Sequence, residues 1–259
     1  MQRAYVSIDT RGLAGKTDDE LLGKLAGGLT FAVEPAQRAA WKFQLQHLRA
    51  LAADLPPAHF FLEFLIPRMG RRADLVVVLG GLIFVVEYKV GSRSFDRSSL
   101  EQVYGYGLDL KHFHETSHAA TVVPILVATH AETPDGGALE WDEDRLAKPM
   151  RANADGLAPA INHVCRVWGG EDIDALVWAA GRYRPTPTIV EAAQALYRGH
   201  AVEEISRSEA GAENLTQTGD YVASAIETAK RGKRKIICFI TGVPGSGKTL
   251  AGLNLATAR

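Results

Sequence analysis

Two cysteines in 259 residues, Cys165 and Cys238, are too few for a disulfide framework and lack the CxxC spacing of a structural zinc site. Both stand in apolar stretches, which fits a chain that works in a reducing interior. The sequence contains no run of about 18 apolar residues, so no membrane-spanning helix is expected. Its N-terminus has no basic-then-apolar leader, and the expectation is a cytoplasmic protein. A net charge of −1 excludes a globally basic nucleic-acid binder. Contact with nucleic acid would have to come from local patches. These are Arg68, Arg71 and Arg72, then Arg93 and Arg97, then the run from Lys230 to Lys235. Repeats and low-complexity tracts are missing too. What is present is the composition of an ordinary globular protein, 46% hydrophobic and 23% charged, which argues against disorder.

Thr17-Asp-Asp-Glu20 is a capping box that opens a short helix ending near Gly27-Gly28. A longer helix is expected from Pro35 to Ala53, with Trp41, Leu45 and Leu48 at core spacing. Phe60 to Ile66 reads as a strand with one acid, Glu63. Helix is expected over 98–115, and Val122 to Ala128 reads as another buried strand. Helical patterns return over Arg145–Asn153 and Leu157–Val167, and Ala175–Ala180 reads as a further strand. Arg184-Pro-Thr-Pro-Thr188 punctuates the chain. A second capping box, Thr188 with Glu191, opens a helix closing at Gly199, another helix covers 219–231, and Lys235–Thr241 is an apolar strand. The order is that of an α/β chain with a mixed sheet flanked by helices.

The densest information lies between Asp74 and Lys89. Two runs of β-branched and aliphatic residues flank Gly80-Gly81, a dipeptide suited to a two-residue primed turn. Leu79 then pairs with Leu82, partner numbers sum to 161, and Asp74 falls opposite Glu87 in a non-hydrogen-bonded pair. Such pairs bring Cβ atoms to roughly 4.5–5.5 Å. Lys89 leaves the same face as Glu87. Opposed carboxylates in an apolar sheet are costly unless a cation sits between them. Mg²⁺ commonly uses one or two protein carboxylates together with water and substrate phosphates, so the pattern points to metal-assisted phosphodiester hydrolysis. An exposed Glu87–Lys89 ion pair beside a solvent-edge Asp74 is the plainer reading. Further on, Gln102 and Tyr106 share a helix face, although Ser99-x-x-Gln102 also fits a capping box. His112 and His114 read as surface or partly buried residues.

Asp74, twelve intervening residues and Glu87-Tyr88-Lys89 resemble the PD-(D/E)XK nuclease motif, with Ala73 in place of the proline of its formal name. The resemblance implies a restriction-endonuclease-like sheet. It implies Mg²⁺ or Mn²⁺ on Asp74, Glu87 and the carbonyl of Tyr88, catalytic roles for Asp74, Glu87 and Lys89, and Glu63 as an additional acid. Gln102-Val-Tyr-Gly-Tyr106 is similar to the QxxxY element of RecB-type members, which adds Gln102 to the catalytic set.

Gly242-Val-Pro-Gly-Ser-Gly247-Lys248-Thr249 satisfies the phosphate-binding P-loop pattern, between an apolar strand and a helical segment. Gly242, Gly245 and Gly247 let backbone N–H groups turn inward around phosphates, Lys248 would meet the terminal phosphates, and Thr249 would ligate Mg²⁺. Ten residues follow Thr249, with no strand for a second metal-binding acid. The chain therefore reads as the N-terminal piece of a longer nuclease–ATPase: a nuclease-like domain over 1–184, a helical linker over 185–233, and the start of a P-loop helicase domain over 234–259. Joined, these regions resemble bacterial proteins with a nuclease-like region before a Schlafen-group-3-like DNA/RNA helicase domain. The matching runs are Glu63-Phe-Leu-Ile-Pro-Arg68, Arg72-Ala-Asp74, Glu87-Tyr-Lys89, Tyr106 to Lys111, Pro185 to Ile189 and Thr241 to Leu250. That family implies ATP-driven helicase action in the full-length protein and an association with defence against foreign DNA. The expected activity is divalent-metal-dependent hydrolysis of DNA, with RNA as a further candidate substrate. The alternative is an inactive nuclease fold that only binds nucleic acid beside an ATP-dependent helicase.

Overall fold

The computed structural model describes residues 3–29, 33–66, 71–134, 139–142, 144–168, 170–183, 209–242 and 248–257. The chain divides into two compact units, residues 1–184 and 185–259.

The first unit is a six-stranded mixed sheet flanked by helices. Its strands are β1 (Val6–Asp9), β2 (His59–Ile66), β3 (Arg71–Leu79), β4 (Leu82–Lys89), β5 (Thr121–Ala128) and β6 (Met150–Ala152), and they lie in that order across the sheet. β1 to β4 are antiparallel, whereas β4–β5 and β5–β6 are parallel. Among the described residues of this unit the α-helices are α1 (Thr10–Ala14), α2 (Asp18–Gly27), α3 (Pro35–Asp54), α4 (Arg97–Phe113), α5 (Leu157–Val167) and α6 (Ala175–Ala180). α4 is the crossover that a parallel β4–β5 pair requires.

Local chemistry accounts for most element ends. Thr17 and Glu20 form the reciprocal capping box of α2. Pro35 occupies the first turn of α3, where its missing N–H has no helical partner to lose. Gly80 and Gly81 have φ of 53° and 77°, the doubly positive geometry that a type I′ turn demands. The hairpin register is the expected one, with five pairs from Leu79↔Leu82 to Leu75↔Val86.

Two apolar layers cover the sheet. On one face Phe60, Leu62, Leu75, Val77, Phe84 and Val86 pack with Trp41, Leu45 and Leu48 of α3 and with α5. On the other, Phe61, Phe64, Val76, Val78, Ile83 and Val85 pack with Val103, Tyr106 and Leu110 of α4 and with Trp178. Burying one large aliphatic side chain is worth about 1.5–3 kcal/mol, so these layers carry the fold.

Several elements differ from expectation. Ala175–Ala180 is a helix, because the Asp174 side chain accepts from the amides of Leu176 and Val177 and caps it. The stretch 145–153 is not helical. Arg145 has a φ of 65°, Pro149 cannot donate to a helix, and Met150–Ala152 instead extends the sheet beside β5. His114 is fully buried, bonded to Ser117 Oγ at 2.7 Å, while His112 is half-buried. β1 and β6 have no counterpart in the sequence pattern.

In the second unit α7 (Glu209–Gly232) and α8 (Lys248–Thr257) pack against each other. α7 begins ten residues before the helix expected at 219. The expected strand over 235–241 is not formed: a strand needs a neighbour for its N–H and C=O groups, and the described residues of this unit include no other strand. Ile237 and Phe239 are 79% and 87% exposed there, and Cys238, expected in an apolar setting, is exposed with them. The capping box at Thr188 and Glu191 lies outside the described residues. Among the described residues no helix is long and apolar enough to cross a membrane.

Candidate active site

β3 and β4 part company at the carboxylates. With a two-residue turn, the hydrogen-bonded pairs are Leu79–Leu82, Val77–Phe84 and Leu75–Val86, and the next would set the Tyr88 amide against the Ala73 carbonyl. Instead that amide donates to Asp74 Oδ2 at 2.7 Å. Residues 71–73 stay paired with β2, while Glu87–Lys89 stay paired with β5. The sheet is forked here. Asp74 is thus not a ladder partner of Glu87 as expected: its side chain has taken a backbone acceptor's place at the mouth of the fork.

Glu87 is the centre of the polar network. Its Oε1 accepts from Lys89 Nζ at 2.9 Å and from Gln102 Nε2 at 2.8 Å. Gln102 Oε1 accepts from Lys89 at 3.1 Å, and Gln102 Nε2 also donates to Tyr106 Oη at 2.7 Å. The plainer reading of an exposed ion pair does not hold, since Glu87 is only 6% exposed. Gln102 is free for this task because Asp96, not Ser99, caps α4; Ser99 gives its amide and hydroxyl to Asp96 at 2.9 and 2.7 Å. Glu87 Oε2 is buried without a partner.

Glu63 behaves differently from the other acids. Its φ of 52° is left-handed in the middle of an extended strand, a conformation that costs an L-residue about 1–2 kcal/mol. The register to β3 is the same on both sides, Leu62↔Leu75 and Phe64↔Ala73, so no residue has been inserted. The flip inverts the alternation. Phe61 and Phe64 both face α4, and the Glu63 carboxyl goes to the α3 side, where Oε1 accepts from Trp41 Nε1 at 2.6 Å and from Gln37 at 3.4 Å. Arg72, stacked on Tyr5, donates to the Glu63 carbonyl at 2.6 Å and holds the flipped peptide. The expected additional acid is therefore close to Asp74 and Glu87 electrostatically but is bonded to α3.

All three carboxyls are pushed above the ordinary range. Burial is the main cause at Asp74, followed by the charge of Glu87, with the Tyr88 amide opposing. Burial also raises Glu87, while Lys89 and Gln102 hold it down. At Glu63 burial is again the largest effect, opposed by Trp41 and Arg72. Such a cluster favours a proton or a cation. The Glu87 oxygen without a donor and the Asp74 oxygens at the fork suit a hard divalent ion, which commonly takes one or two carboxylates and completes its shell with water. Among the described residues no group of three or more His, Cys, Asp or Glu side chains is placed to hold a metal, in keeping with the turn of Glu63 toward α3. Trp41, Gln37, His47 and Arg72 give no sign of their polar roles in the sequence.

In the second unit Lys248 Nζ donates to the Gly242 carbonyl at 2.7 Å and Thr249 is exposed in the first turn of α8. Gly245 and Gly247 lie outside the described residues.

No match was found.

That holds for protein-family models, for curated proteins and for solved structures alike.

Proposed function

We propose that residues 1–184 form a restriction-endonuclease-like domain of PD-(D/E)XK type that hydrolyses phosphodiester bonds of DNA with Mg²⁺ or Mn²⁺. The supporting observation is the buried, unpartnered Oε2 of Glu87 beside Asp74, with Lys89 fixed on the other oxygen. Asp74, Glu87 and the Tyr88 carbonyl would hold the metal. When bound, it would polarise a phosphoryl oxygen and acidify a coordinated water. Lys89 carries the positive charge that a phosphate and its attacking oxygen need, and Gln102 keeps its ammonium group aimed. Tyr106 accepts from Gln102 and retains a hydroxyl proton of its own.

The second unit is read as the beginning of an ATP-binding helicase domain, with Gly242, Gly245, Gly247, Lys248 and Thr249 cradling phosphates. Its support is the P-loop pattern and the start of α8 at Lys248. The coupling of nuclease to helicase, the cytoplasmic setting and a role against foreign DNA rest on family resemblance alone.

The test is cleavage of circular and linear, single- and double-stranded DNA, and of RNA, with Mg²⁺ or Mn²⁺. Metal-dependent DNA cleavage lost in Asp74→Ala, Glu87→Ala and Lys89→Ala is the expected result. Cleavage unchanged in all three variants sinks the assignment. Metal-independent binding without cleavage would favour the inactive nucleic-acid-binding module, and cleavage of RNA alone would move the substrate.

A further inference from the structure

One helix ties both arms of the fork from behind. On the β1–β3 arm, the indole N–H of Trp41 holds Glu63 at 2.6 Å. On the β4–β6 arm, further along the same helix, His47 Nδ1 is 2.9 Å from the Tyr88 hydroxyl. His47 Nε2 lies 2.7 Å from the Ala154 carbonyl, so it must carry the ring proton, and Nδ1 accepts from Tyr88. Tyr88 is 6% exposed and Trp41 1%, so neither tether competes with bulk water. Beyond Leu75↔Val86 no described ladder pair joins the two arms, and the Tyr88–Asp74 bond bridges the opening at its mouth.

We propose that α3 is the positioning element of the site, clamping the fork through Trp41–Glu63 and His47–Tyr88 so that Asp74, Glu87 and the Tyr88 carbonyl keep one separation. The proposal rests on the metal-nuclease reading for its purpose, though not for its geometry. It also explains why a strained Glu63 is kept. The left-handed peptide is what turns the carboxyl through the sheet to reach Trp41. A glutamate in ordinary β conformation would point to α4 and leave the β1–β3 arm without this polar link to α3. Mg²⁺ demands nearly ideal octahedral geometry, whereas Ca²⁺ accepts longer and irregular ligand distances. A clamp of this kind therefore bears on which ion the site takes, beyond simple stability.

The experiment uses the whole chain and two readouts. The first is amide hydrogen exchange in the metal-free protein, with the Val85 amide as the internal reference for an intact sheet. In Trp41→Phe, which keeps a ring but loses the donor, and in Tyr88→Phe, which cuts the other tether, the Tyr88 amide should exchange about tenfold faster relative to Val85. His47→Asn, whose side-chain oxygen can replace Nδ1, should restore most of the protection lost in His47→Ala. The second readout is calorimetric affinity for Mg²⁺ and for Ca²⁺, where the cut tethers should weaken Mg²⁺ about fivefold more than Ca²⁺. Unchanged Tyr88 exchange overturns the clamp whether or not metal binds, and so does faster exchange with both ions weakened equally. Faster exchange in the variants together with a wild-type protein that binds neither ion supports the clamp and refutes the metal-nuclease reading instead.

Discussion

The Tyr88 amide and the Asp74 carboxylate, 2.7 Å apart, form the hinge on which the site turns. A side chain that replaces a backbone acceptor ends a ladder, and ending it here opens the sheet where two acids and a lysine converge. The same bond keeps a partner on a carboxylate that burial and Glu87 push toward the protonated state.

Asp74→Asn should stabilise the metal-free protein at alkaline pH. The folded-state pKa of Asp74 is raised, so the unfolded chain releases its proton first as pH climbs. Stability from this group is complete below the unfolded value near 3.8 and is lost as pH rises through the folded value. In chelator the variant and wild type should melt alike at low pH, and the variant should melt higher at pH 8. Excess Mg²⁺ should reverse the order, since a ligand at 100 times its Kd adds about 2.7 kcal/mol to the wild type alone. Thermal unfolding with and without chelator checks both halves.

Gln102 touches Glu87, Lys89 and Tyr106, so Gln102→Ala removes the organiser of the network while leaving both acids in place. Loss of such an outer partner typically reduces metal affinity or activity by about 10–100-fold. Tyr106→Phe should cost less, because Gln102 keeps its bonds to Glu87 and Lys89. The comparison is made on Mn²⁺ affinity and on kcat for DNA cleavage.

The parts of this arrangement legible in the sequence were those with short-range signals. Unbroken aliphatic runs on either side of Gly80-Gly81, joined by a two-residue turn, specify the β3–β4 register as far as Leu75↔Val86. Gln102 and Tyr106 were readable as an i, i+4 pair. β1 and β6, at four and three residues, are too short for periodicity to register. Ala175–Ala180 lacks charge and reads as a strand until the Asp174 cap is seen. The flip at Glu63 has no local signal at all. Phe61-Leu-Glu-Phe-Leu65 looks like an ordinary strand, and the partners that select the flip, Trp41 and Arg72, act through tertiary contacts.

The flip can be tested by substitution at Glu63 itself. Both Glu63→Ala and Glu63→Gly lose the carboxyl and orphan Trp41 Nε1, so that loss cancels between them. At a φ of 52° alanine keeps the left-handed strain and glycine does not. Glu63→Gly should therefore be more stable than Glu63→Ala by about 1 kcal/mol, against the usual order within a strand. Equal stabilities, or alanine ahead, in urea unfolding would mean that position 63 is in ordinary β conformation.

His114 should make the protein acid-sensitive, in the direction opposite to the buried acids of the candidate site. It has no exposed surface, its ring bonds Ser117, and Ser117 in turn accepts from Trp178 Nε1 at 2.9 Å. Burial, helped by Arg3 and His118, pushes its pKa down to about 4. For a base with a depressed folded pKa, the unfolded chain takes up the proton first as pH falls. Stability is complete above 6.5 and is lost on the way down to about 4, the opposite direction to Asp74. The contribution lost between pH 7 and pH 5 is about 2 kcal/mol. Because the two groups oppose each other, wild-type data alone do not separate them. The slope of unfolding free energy against pH between pH 5 and pH 7 should become more negative in His114→Gln, by about 1 kcal/mol per pH unit, whatever that variant's absolute stability. An unchanged slope would show that the imidazole is not buried in its neutral form.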